Sequence, residues 1–326
     1  MSHVGGLLFL ALAWGGVLGG GLFVLLYLVP EIQSLTSEVA AISALIPYGM
    51  ILWLVATVGF LAGARGPGKL LAAGTIAAFV LQVSWTRPYW PHTPPTVDAP
   101  TLRVMAANVH GGRAGPEAVA AAIRESDADV LVLLEATEAF VGSPTIAAAL
   151  AHYPHRLGRE GDSAAREGAA PTLVLARFPM EALAQVDSRF DQYVIRVSAD
   201  PVPLTLVAAH PLNMLPGGHV WEHEGNILRR AITPHLSEPV AVVGDLNATP
   251  EHLTLRRLTD GLGLELGAQE AGAGWQPTYN AGIDWLPPMV AIDHVLTNDR
   301  VTATSFRTVP LPGSDHHAIV ADLAID

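Results

Sequence analysis

The sequence contains no cysteine and a single lysine, Lys69, in 326 residues. The lack of cysteine excludes disulfide bonds and thiolate metal sites, and it is compatible with an oxidising exterior. The shortage of basic residues disfavours a nucleic-acid partner, because proteins bind the phosphate backbone with clustered lysine and arginine. No basic cluster here exceeds the pairs formed by Arg229 with Arg230 and by Arg256 with Arg257.

Charge of either sign is scarce before residue 91. That part carries two acidic and three basic residues, whereas the remainder carries 15 basic and 28 acidic residues. Uncharged apolar runs occupy residues 5–29, 40–64 and 70–86. A helix needs about 20 apolar residues to cross a bilayer, and the aromatic residues Trp85 and Trp90 are typical of a membrane interface. The sequence therefore predicts a transmembrane region over residues 1–87, with buried core helices as the alternative.

The side of the membrane follows from Arg65 and Lys69, which lie between the second and third runs. The positive-inside rule places them in the cytoplasm, so three spans put the following domain outside the cell. If the third run of 17 residues does not span, the domain lies inside. Residues 88–100 contain five prolines and predict a stiff linker that lifts this domain off the membrane.

Apolar runs and helical stretches alternate from residue 101 to residue 326, which predicts an α/β domain of stacked sheets covered by helices. The predicted helices are 115–125, 138–151 and 220–235, and residues 155–170 are predicted to form a loop. The predicted strands are 101–107, 130–134, 173–176, 193–197, 204–209, 240–244, 290–296, 302–307 and 318–324.

Polar residues end or flank these strands. Asp245 and Asn247 follow an apolar run two residues apart, so on extended backbone both side chains are expected to point the same way. Each such residue alone is also typical of a polar turn, a helix cap or a core histidine. The same design recurs at Asn108, Glu135, His210, Asp293, Asp315 and His316.

Together and in this order, these motifs resemble the endonuclease/exonuclease/phosphatase superfamily of metal-dependent phosphoesterases, from about residue 102 onward. The resemblance implies a four-layer α/β sandwich after the transmembrane helices. It also implies that Asn108 and Glu135 hold a metal ion, and we assign Asp315 to the same set. Mg²⁺ is the expected ion because it prefers oxygen ligands, with Mn²⁺ or Ca²⁺ as alternatives.

The resemblance assigns catalytic roles to the remaining residues. His210 would contact the phosphate or donate a proton, and Asn247 would hold a phosphoryl oxygen. Asp293 would fix the tautomer of His316. Either His316 or Asp245 could act as the general base, and the sequence does not decide between them.

Other residues receive weaker assignments. Arg177 is a candidate phosphate contact, although Ala176 departs from the serine that usually precedes it in the family. His294 and His317 are expected to pack rather than react. A further histidine pair, His219 and His223, has zinc-binding spacing but is expected to form a solvated helix face.

These features predict a membrane-anchored phosphoesterase acting on a phosphorylated lipid or lipid-linked intermediate at the outer membrane face. A looser likeness links the chain to three-span bacterial members of the superfamily, some associated with glycopeptide-antibiotic resistance. A membrane-anchored nuclease and a catalytically silent scaffold are the alternatives. The loops at residues 155–170, 211–221 and 272–288 would determine specificity.

Overall fold

The computed structural model describes residues 3–159, 170–280, 282 and 286–326. The chain divides into two compact units. The first contains Met1–Pro88 with Glu251–Leu253, and the second contains Tyr89–Pro250 with Thr254–Asp326.

The first unit is helical. Its helices are α1 (His3–Leu28), α2 (Ser37–Ser43), α3 (Gly49–Gly63) and α4 (Leu70–Trp85). Among the residues that the structure describes, two segments are long and apolar enough to cross a membrane, Gly5–Leu28 and Ile46–Gly63. Helix α4 has 16 residues, which gives a length of about 24 Å, shorter than the hydrocarbon core of about 30 Å.

The predicted run at residues 40–64 is not one helix. Thr36 caps α2 by accepting a hydrogen bond from the Val39 backbone, and α2 ends at Ser43. A 3₁₀ turn at Ile46–Tyr48 contains Pro47 and leads into α3. Proline lacks the backbone donor that a helix interior requires, so hydropathy alone overestimated the length of this helix.

Helices α1 and α3 pack through glycine. A Cβ atom on Gly16 would lie 2.5 Å from the carbonyl oxygen of Leu52, and one on Gly59 would lie 2.6 Å from that of Phe9. Each helix thus brings its backbone against the other at positions where a larger residue does not fit. Small residues at close helix contacts are common in membrane proteins.

The described part of the chain after residue 100 forms two six-stranded sheets with helices around them. The strands are β1 (Thr101–Asn108), β2 (Val130–Leu134), β3 (His155–Gly158), β4 (Thr172–Ala176), β5 (Met180–Gln185), β6 (Tyr193–Val197), β7 (Leu204–Ala209), β8 (Val240–Asp245), β9 (Glu265–Leu266), β10 (Asp293–Thr297), β11 (Val301–Pro310) and β12 (His317–Ile325). The helices are α5 (Pro116–Ser126), α6 (Glu138–Val141), α7 (Pro144–Leu150), α8 (Gly218–Ile232), α9 (Leu253–Leu262) and α10 (Gly267–Glu270).

The strand order is β11-β12-β1-β2-β4-β3 in the first sheet and β5-β6-β7-β8-β10-β9 in the second. Alternate residues of both sheets, such as Val104, Val132, Leu206 and Val243, form a shared buried core. The other face of the first sheet packs on α5, α6 and α7. Two mixed sheets covered by helices confirm the predicted α/β sandwich.

Several boundaries differ from the prediction. The predicted helix at 138–151 is divided into α6 and α7, because Pro144 starts a new helix after Gly142 and Ser143. The predicted loop at 155–170 begins with β3, and its residues 160–169 lie outside the described residues. Strand β5 and helix α9 were not predicted; β5 has mostly exposed residues and lacks an apolar alternation.

The start of the proline-rich stretch packs on other residues of the second unit. The His92 backbone donates to the Gly272 carbonyl at 3.2 Å, and His92 Nε2 lies 2.9 Å from the carbonyl oxygen of Gln269. Tyr89 packs edge-on against Trp275, with ring centroids 4.7 Å apart. These contacts fix the start of the stretch within the second unit.

Candidate active site

Strand direction brings the predicted site residues to one edge of the two sheets. Strands β1 and β2 run parallel, as do β7 and β8, so their carboxyl ends meet at this edge. Strands β12 and β10 run antiparallel to β1 and β8 and begin there. The residues at these positions are Asn108, Glu135, His210, Asp245, Asp293, Asp315 and His316.

Asn108 links carboxylates from both sheets. Its Nδ2 atom donates to Glu135 Oε1 and to Asp245 Oδ2, at 3.1 Å in each case. Its Oδ1 atom accepts a hydrogen bond from the His110 backbone at 2.9 Å. The amide therefore fixes two acidic side chains that belong to different sheets.

His316 lies between two buried carboxylates. Its Nδ1 atom is 2.9 Å from Asp293 Oδ2, and its Nε2 atom is 3.7 Å from Asp245 Oδ2. Burial alone would lower the pKa of His316, but the negative charges of Asp293 and Asp245 outweigh it and raise this pKa. Burial also raises the pKa of Asp245. The ring therefore carries a proton at neutral pH and can donate from both nitrogens.

His210 is completely buried and has the opposite character. Its Nε2 atom lies 3.7 Å from Asp245 Oδ2 and 3.9 Å from Glu135 Oε1. Burial lowers the pKa of His210 to about 4, so the ring is neutral at pH 7. The Gln192 side chain accepts a hydrogen bond from its backbone at 3.1 Å, and the Phe190 ring packs 4.8 Å from its ring.

The backbone at Asn247 is not extended, although the sequence analysis predicts that it is. Strand β8 ends at Asp245, and Asn247 has a φ of 47°, so the two residues do not share extended backbone. Instead the Asn247 backbone donates to Asp245 Oδ1 at 2.9 Å, and its Nδ2 atom donates to the Pro211 carbonyl at 3.0 Å. A turn, rather than strand alternation, brings the amide beside the carboxylate.

Glu135 also has left-handed backbone, with a φ of 59°. A non-glycine residue in this region costs on the order of 1–3 kcal/mol and is often found where function requires a fixed side chain. The Glu135 backbone donates to the Pro171 carbonyl at 2.8 Å, which holds the strained residue in place. The conformation turns the carboxylate toward Asn108 at the end of β2.

A family comparison agrees with this geometry. The model of the endonuclease/exonuclease/phosphatase family matches residues 105–316. The chain belongs to this family. No curated protein matches the sequence significantly. Membership of the family makes the chain a phosphoric ester hydrolase. The eight residues assigned to metal binding and catalysis lie at one edge of its fold.

Several solved structures have the same fold as this chain, although their sequence identity to it is low. A Bacteroides vulgatus endonuclease/exonuclease/phosphatase is 18% identical with a TM-score of 0.55, covering 70% of this chain and 100% of its own. Truncated Caenorhabditis elegans TDP2 is 18% identical with a TM-score of 0.53, covering 69% and 97%. The Bacteroides thetaiotaomicron mannosyl-6-phosphatase is 12% identical with a TM-score of 0.53, covering 69% and 100%.

The family is generally dependent on a divalent metal ion, and the donor set at this edge fits one. Glu135 and Asp315 have side chains 28% and 31% exposed, so their oxygens are open to an ion and to substrate. Asp245, Asp293 and His316 form a second group whose ligand atoms lie within 4.8 Å of one another. Asp293 and His316 already hydrogen-bond each other, which leaves Glu135 and Asp315 as the accessible hard ligands.

Two residues without a predicted role also lie at this edge. His110 Nδ1 is 3.1 Å from Asp315 Oδ1, and the Tyr279 ring centroid is 5.0 Å from that of His316. The spacing of His110 two residues after Asn108 was a usable signal for the first. Tyr279 precedes the strand that carries Asp293 by 14 residues, so only the fold brings it near His316.

Arg177 does not join the site. It pairs with Asp127 and Asp129, which precede β2, whereas Glu135 follows that strand. The phosphate contact predicted for Arg177 is therefore wrong, because β4 runs antiparallel to β2 and ends at the opposite edge.

The remaining histidines agree with the weaker assignments in part. His294 is buried, and its Nε2 atom lies 2.9 Å from the carbonyl oxygen of Ala248, as a packing residue should. His219 and His223 are exposed on α8, which matches the expected solvated face. His317 is only partly buried.

Proposed function

We propose that the chain is a membrane-anchored, Mg²⁺-dependent phosphoesterase. Its substrate is a phosphate ester or pyrophosphate of a lipid or lipid-linked cell-envelope intermediate, at the outer membrane face. This proposal rests on helix α1, which belongs to the same chain as the site. Its segment Gly5–Leu28 is apolar, and only 17% of the 18-residue apolar window in it is buried.

The surroundings of α1 support a membrane span over its alternatives. A core helix of a soluble protein would be mostly buried, whereas Leu7, Leu18 and Leu25 on α1 are 68%, 73% and 46% exposed. A cleaved signal sequence has no need of the glycine contacts that join α1 to α3. Exposed leucines on a helix of this length are consistent with contact with the hydrocarbon core of a bilayer.

The number of spans and the orientation belong to the same proposal. Helix α4 also presents an exposed apolar face, with Leu70 at 73% and Val80 at 59% exposure. Lys69 and Arg87 flank this helix and can extend toward the headgroups, which compensates for its short length. Three spans, with Arg65 and Lys69 in the cytoplasm, place the site outside.

Each site residue has a role in hydrolysis. Glu135 and Asp315 would hold Mg²⁺, which would neutralise charge on the phosphoryl oxygens. Asn108, whose Nδ2 atom donates to Glu135 Oε1, would position that ligand. Asp245 accepts the proton of the attacking water. The protonated His316, held by Asp293, donates to a phosphoryl oxygen as negative charge develops.

His210 and Asn247 complete the cradle for the phosphoryl group. Neutral His210 presents Nε2 beside Asp245 and Glu135. The Asn247 side chain has one amide hydrogen committed to Pro211, and its other hydrogen is available to a phosphoryl oxygen. Both groups are polar donors without net charge, which suits an oxygen whose charge the ion already balances.

The alternatives fit the chain less well. The part from residue 91 onward carries 28 acidic against 15 basic residues, which opposes the binding of a nucleic-acid backbone. A silent scaffold would have no need to retain the full set of site residues in mutual contact. The likeness to TDP2 and to a mannosyl-6-phosphatase concerns the fold and does not select the substrate.

Hydrolysis by the full chain in detergent tests the proposal. The substrates would be a polyprenyl pyrophosphate, phospholipids, and single- and double-stranded DNA, each with Mg²⁺ or with EDTA. Mg²⁺-dependent release from a lipid substrate is the expected result. Turnover of DNA alone would make the chain an anchored nuclease and overturn the lipid assignment.

Because the chain has no cysteine, its topology is directly measurable. Asp299 is exposed in the turn between β10 and β11, so Asp299→Cys provides a single accessible thiol. A membrane-impermeant maleimide should label this variant in intact cells. Labelling only after lysis would place the domain inside and contradict the outer-face assignment.

A further inference from the structure

The segment that follows β7 and includes the first turn of α8, residues 211–220, is fixed to the site at both ends. His210 precedes it, and Trp221 follows it. The Asn247 side chain donates to the Pro211 carbonyl at 3.0 Å, and Trp221 Nε1 donates to the Asn247 carbonyl at 3.1 Å. We name this segment the β7–α8 loop.

The β7–α8 loop exposes apolar side chains. Leu215 is 80% exposed, the highest value of any large hydrophobic residue among the described part of the chain, and Val220 is 42% exposed. In the second unit only Trp90 joins them as an exposed large hydrophobic residue in the described ranges. Leu212, at the base of the loop, is 4% exposed and anchors it.

The exposed position of Leu215 is held by local hydrogen bonds. The Leu215 backbone donates to Asn213 Oδ1 at 3.1 Å, and the Gly217 backbone donates to the Met214 carbonyl at 3.0 Å. These bonds close a turn with Leu215 at its tip. The leucine is thus presented outward by a formed structure close to the site.

The loop is also free of charge in an acidic unit. Residues 201–221 contain no aspartate, glutamate, lysine or arginine, although the chain from residue 91 carries 28 acidic residues. A segment without charged side chains can enter an apolar phase without the cost of burying an unpaired charge. It can also approach an anionic headgroup surface without the repulsion that the rest of the unit would meet.

We propose that the β7–α8 loop docks on a phospholipid bilayer. Leu215 and Val220 enter the boundary of the hydrocarbon region, and the neighbouring His210 and Asn247 then lie at headgroup depth. The bilayer is the expected partner of this loop, because the chain carries its own apolar spans and because the loop tip is apolar and uncharged. The inference rests on the proposed membrane function and names the surface through which the site reaches a lipid substrate.

Depth-dependent quenching tests the docking without any substrate. The full-length Leu215→Cys variant would be labelled with an environment-sensitive fluorophore and reconstituted into phospholipid nanodiscs with or without a doxyl-labelled lipid. Asp299→Cys is the matched control, because this exposed residue lies at the end of β10 remote from the site. The doxyl lipid should quench the label at position 215 and leave the label at position 299 unchanged. Equal quenching at both positions would overturn the docking.

Kinetics provide a second measurement. In proteoliposomes, Leu215→Ser should lower the ratio of lipid turnover to turnover of a water-soluble phosphate ester by at least about tenfold. Asp299→Ser should leave that ratio unchanged. A quenched label without lipid turnover would overturn the proposed function alone. Lipid turnover with an unquenched label at position 215, or with an unchanged ratio in Leu215→Ser, would overturn the docking alone.

Discussion

Asp293 and His316 join the two sheets at the site: Oδ2 of Asp293, the first residue of β10, lies 2.9 Å from Nδ1 of His316, which precedes β12. Both side chains are buried. A carboxylate on Nδ1 fixes the tautomer and orientation of the ring and leaves Nε2 facing Asp245. The relationship makes the charge of His316 depend on a residue of the opposite sheet.

Asp293→Asn should therefore lower kcat by about 10²- to 10⁴-fold. The substitution removes the negative charge that supports protonated His316, while the burial that lowers its pKa remains. Steady-state kinetics on the full chain would measure the effect. Asp299→Asn, at an exposed turn, is the matched control, and a kcat within twofold of wild type in Asp293→Asn would contradict the assignment.

Glu135→Gln should weaken Mg²⁺ binding more strongly than the loss of an outer-shell partner does. Loss of such a partner lowers metal affinity by about 10- to 100-fold. Glutamine keeps the shape of the side chain but removes the charge that a hard cation requires. Titration calorimetry on the full chain would report the affinity. Glu117→Gln, at an exposed position of α5, should bind as wild type does. An unchanged affinity in Glu135→Gln would exclude Glu135 as a ligand.

Gly244→Ala should destabilise the fold by roughly 2–4 kcal/mol. Gly244 has a φ of 146°, and a Cβ atom there would lie 2.1 Å from the Ala209 carbonyl oxygen on the adjacent strand. Thermal unfolding would show the loss. Gly261→Ala is a useful contrast, since a Cβ atom at this position of α9 meets nothing within 4 Å and alanine favours a helix. Equal melting temperatures for the two variants would contradict the packing argument.

Arg103 and Asp322 should make stability depend on pH. They face each other across β1 and β12, and Arg103 Nε lies 2.6 Å from Asp322 Oδ1. Burial would raise the pKa of Asp322, but hydrogen bonds from Arg103 and Ser305 outweigh it, and the folded-state pKa lies below its usual value.

A carboxylate with a depressed pKa contributes stability above its unfolded pKa of about 3.9 and loses it as pH falls through the folded value. The melting temperature of Asp322→Asn should thus lie below that of wild type at pH 7, and the difference should shrink under acid conditions. A difference that grows on acidification would contradict the assignment.

The fold was predictable where apolar runs matched buried strands. The bounds of β2, β6 and β7 agree with the sequence prediction, because all three lie in the core and consist largely of Val, Ile, Leu and Ala. Strand β5 escaped prediction because it is an edge strand with exposed residues. Proline positions, at Pro47 and Pro144, account for the two helices that were predicted too long.

The site was predictable as a set of residues and less so as a geometry. Each residue assigned to metal binding or catalysis lies at or next to the end of a strand, and parallel strand pairs bring such ends together. The left-handed turn at Asn247, the contact of Tyr279 with His316, and the position of Arg177 at the wrong edge all depend on chain direction in the assembled sheets. No local pattern encodes that information.

We propose that this edge of the sandwich hydrolyses a lipid phosphate with a divalent ion. The most direct measurement compares wild type with Asp245→Asn for phosphate release from a polyprenyl pyrophosphate in proteoliposomes, with Mg²⁺ and with EDTA. We expect release by wild type with Mg²⁺, and loss of release both in EDTA and in the variant. Release that persists in EDTA or in Asp245→Asn would contradict the account.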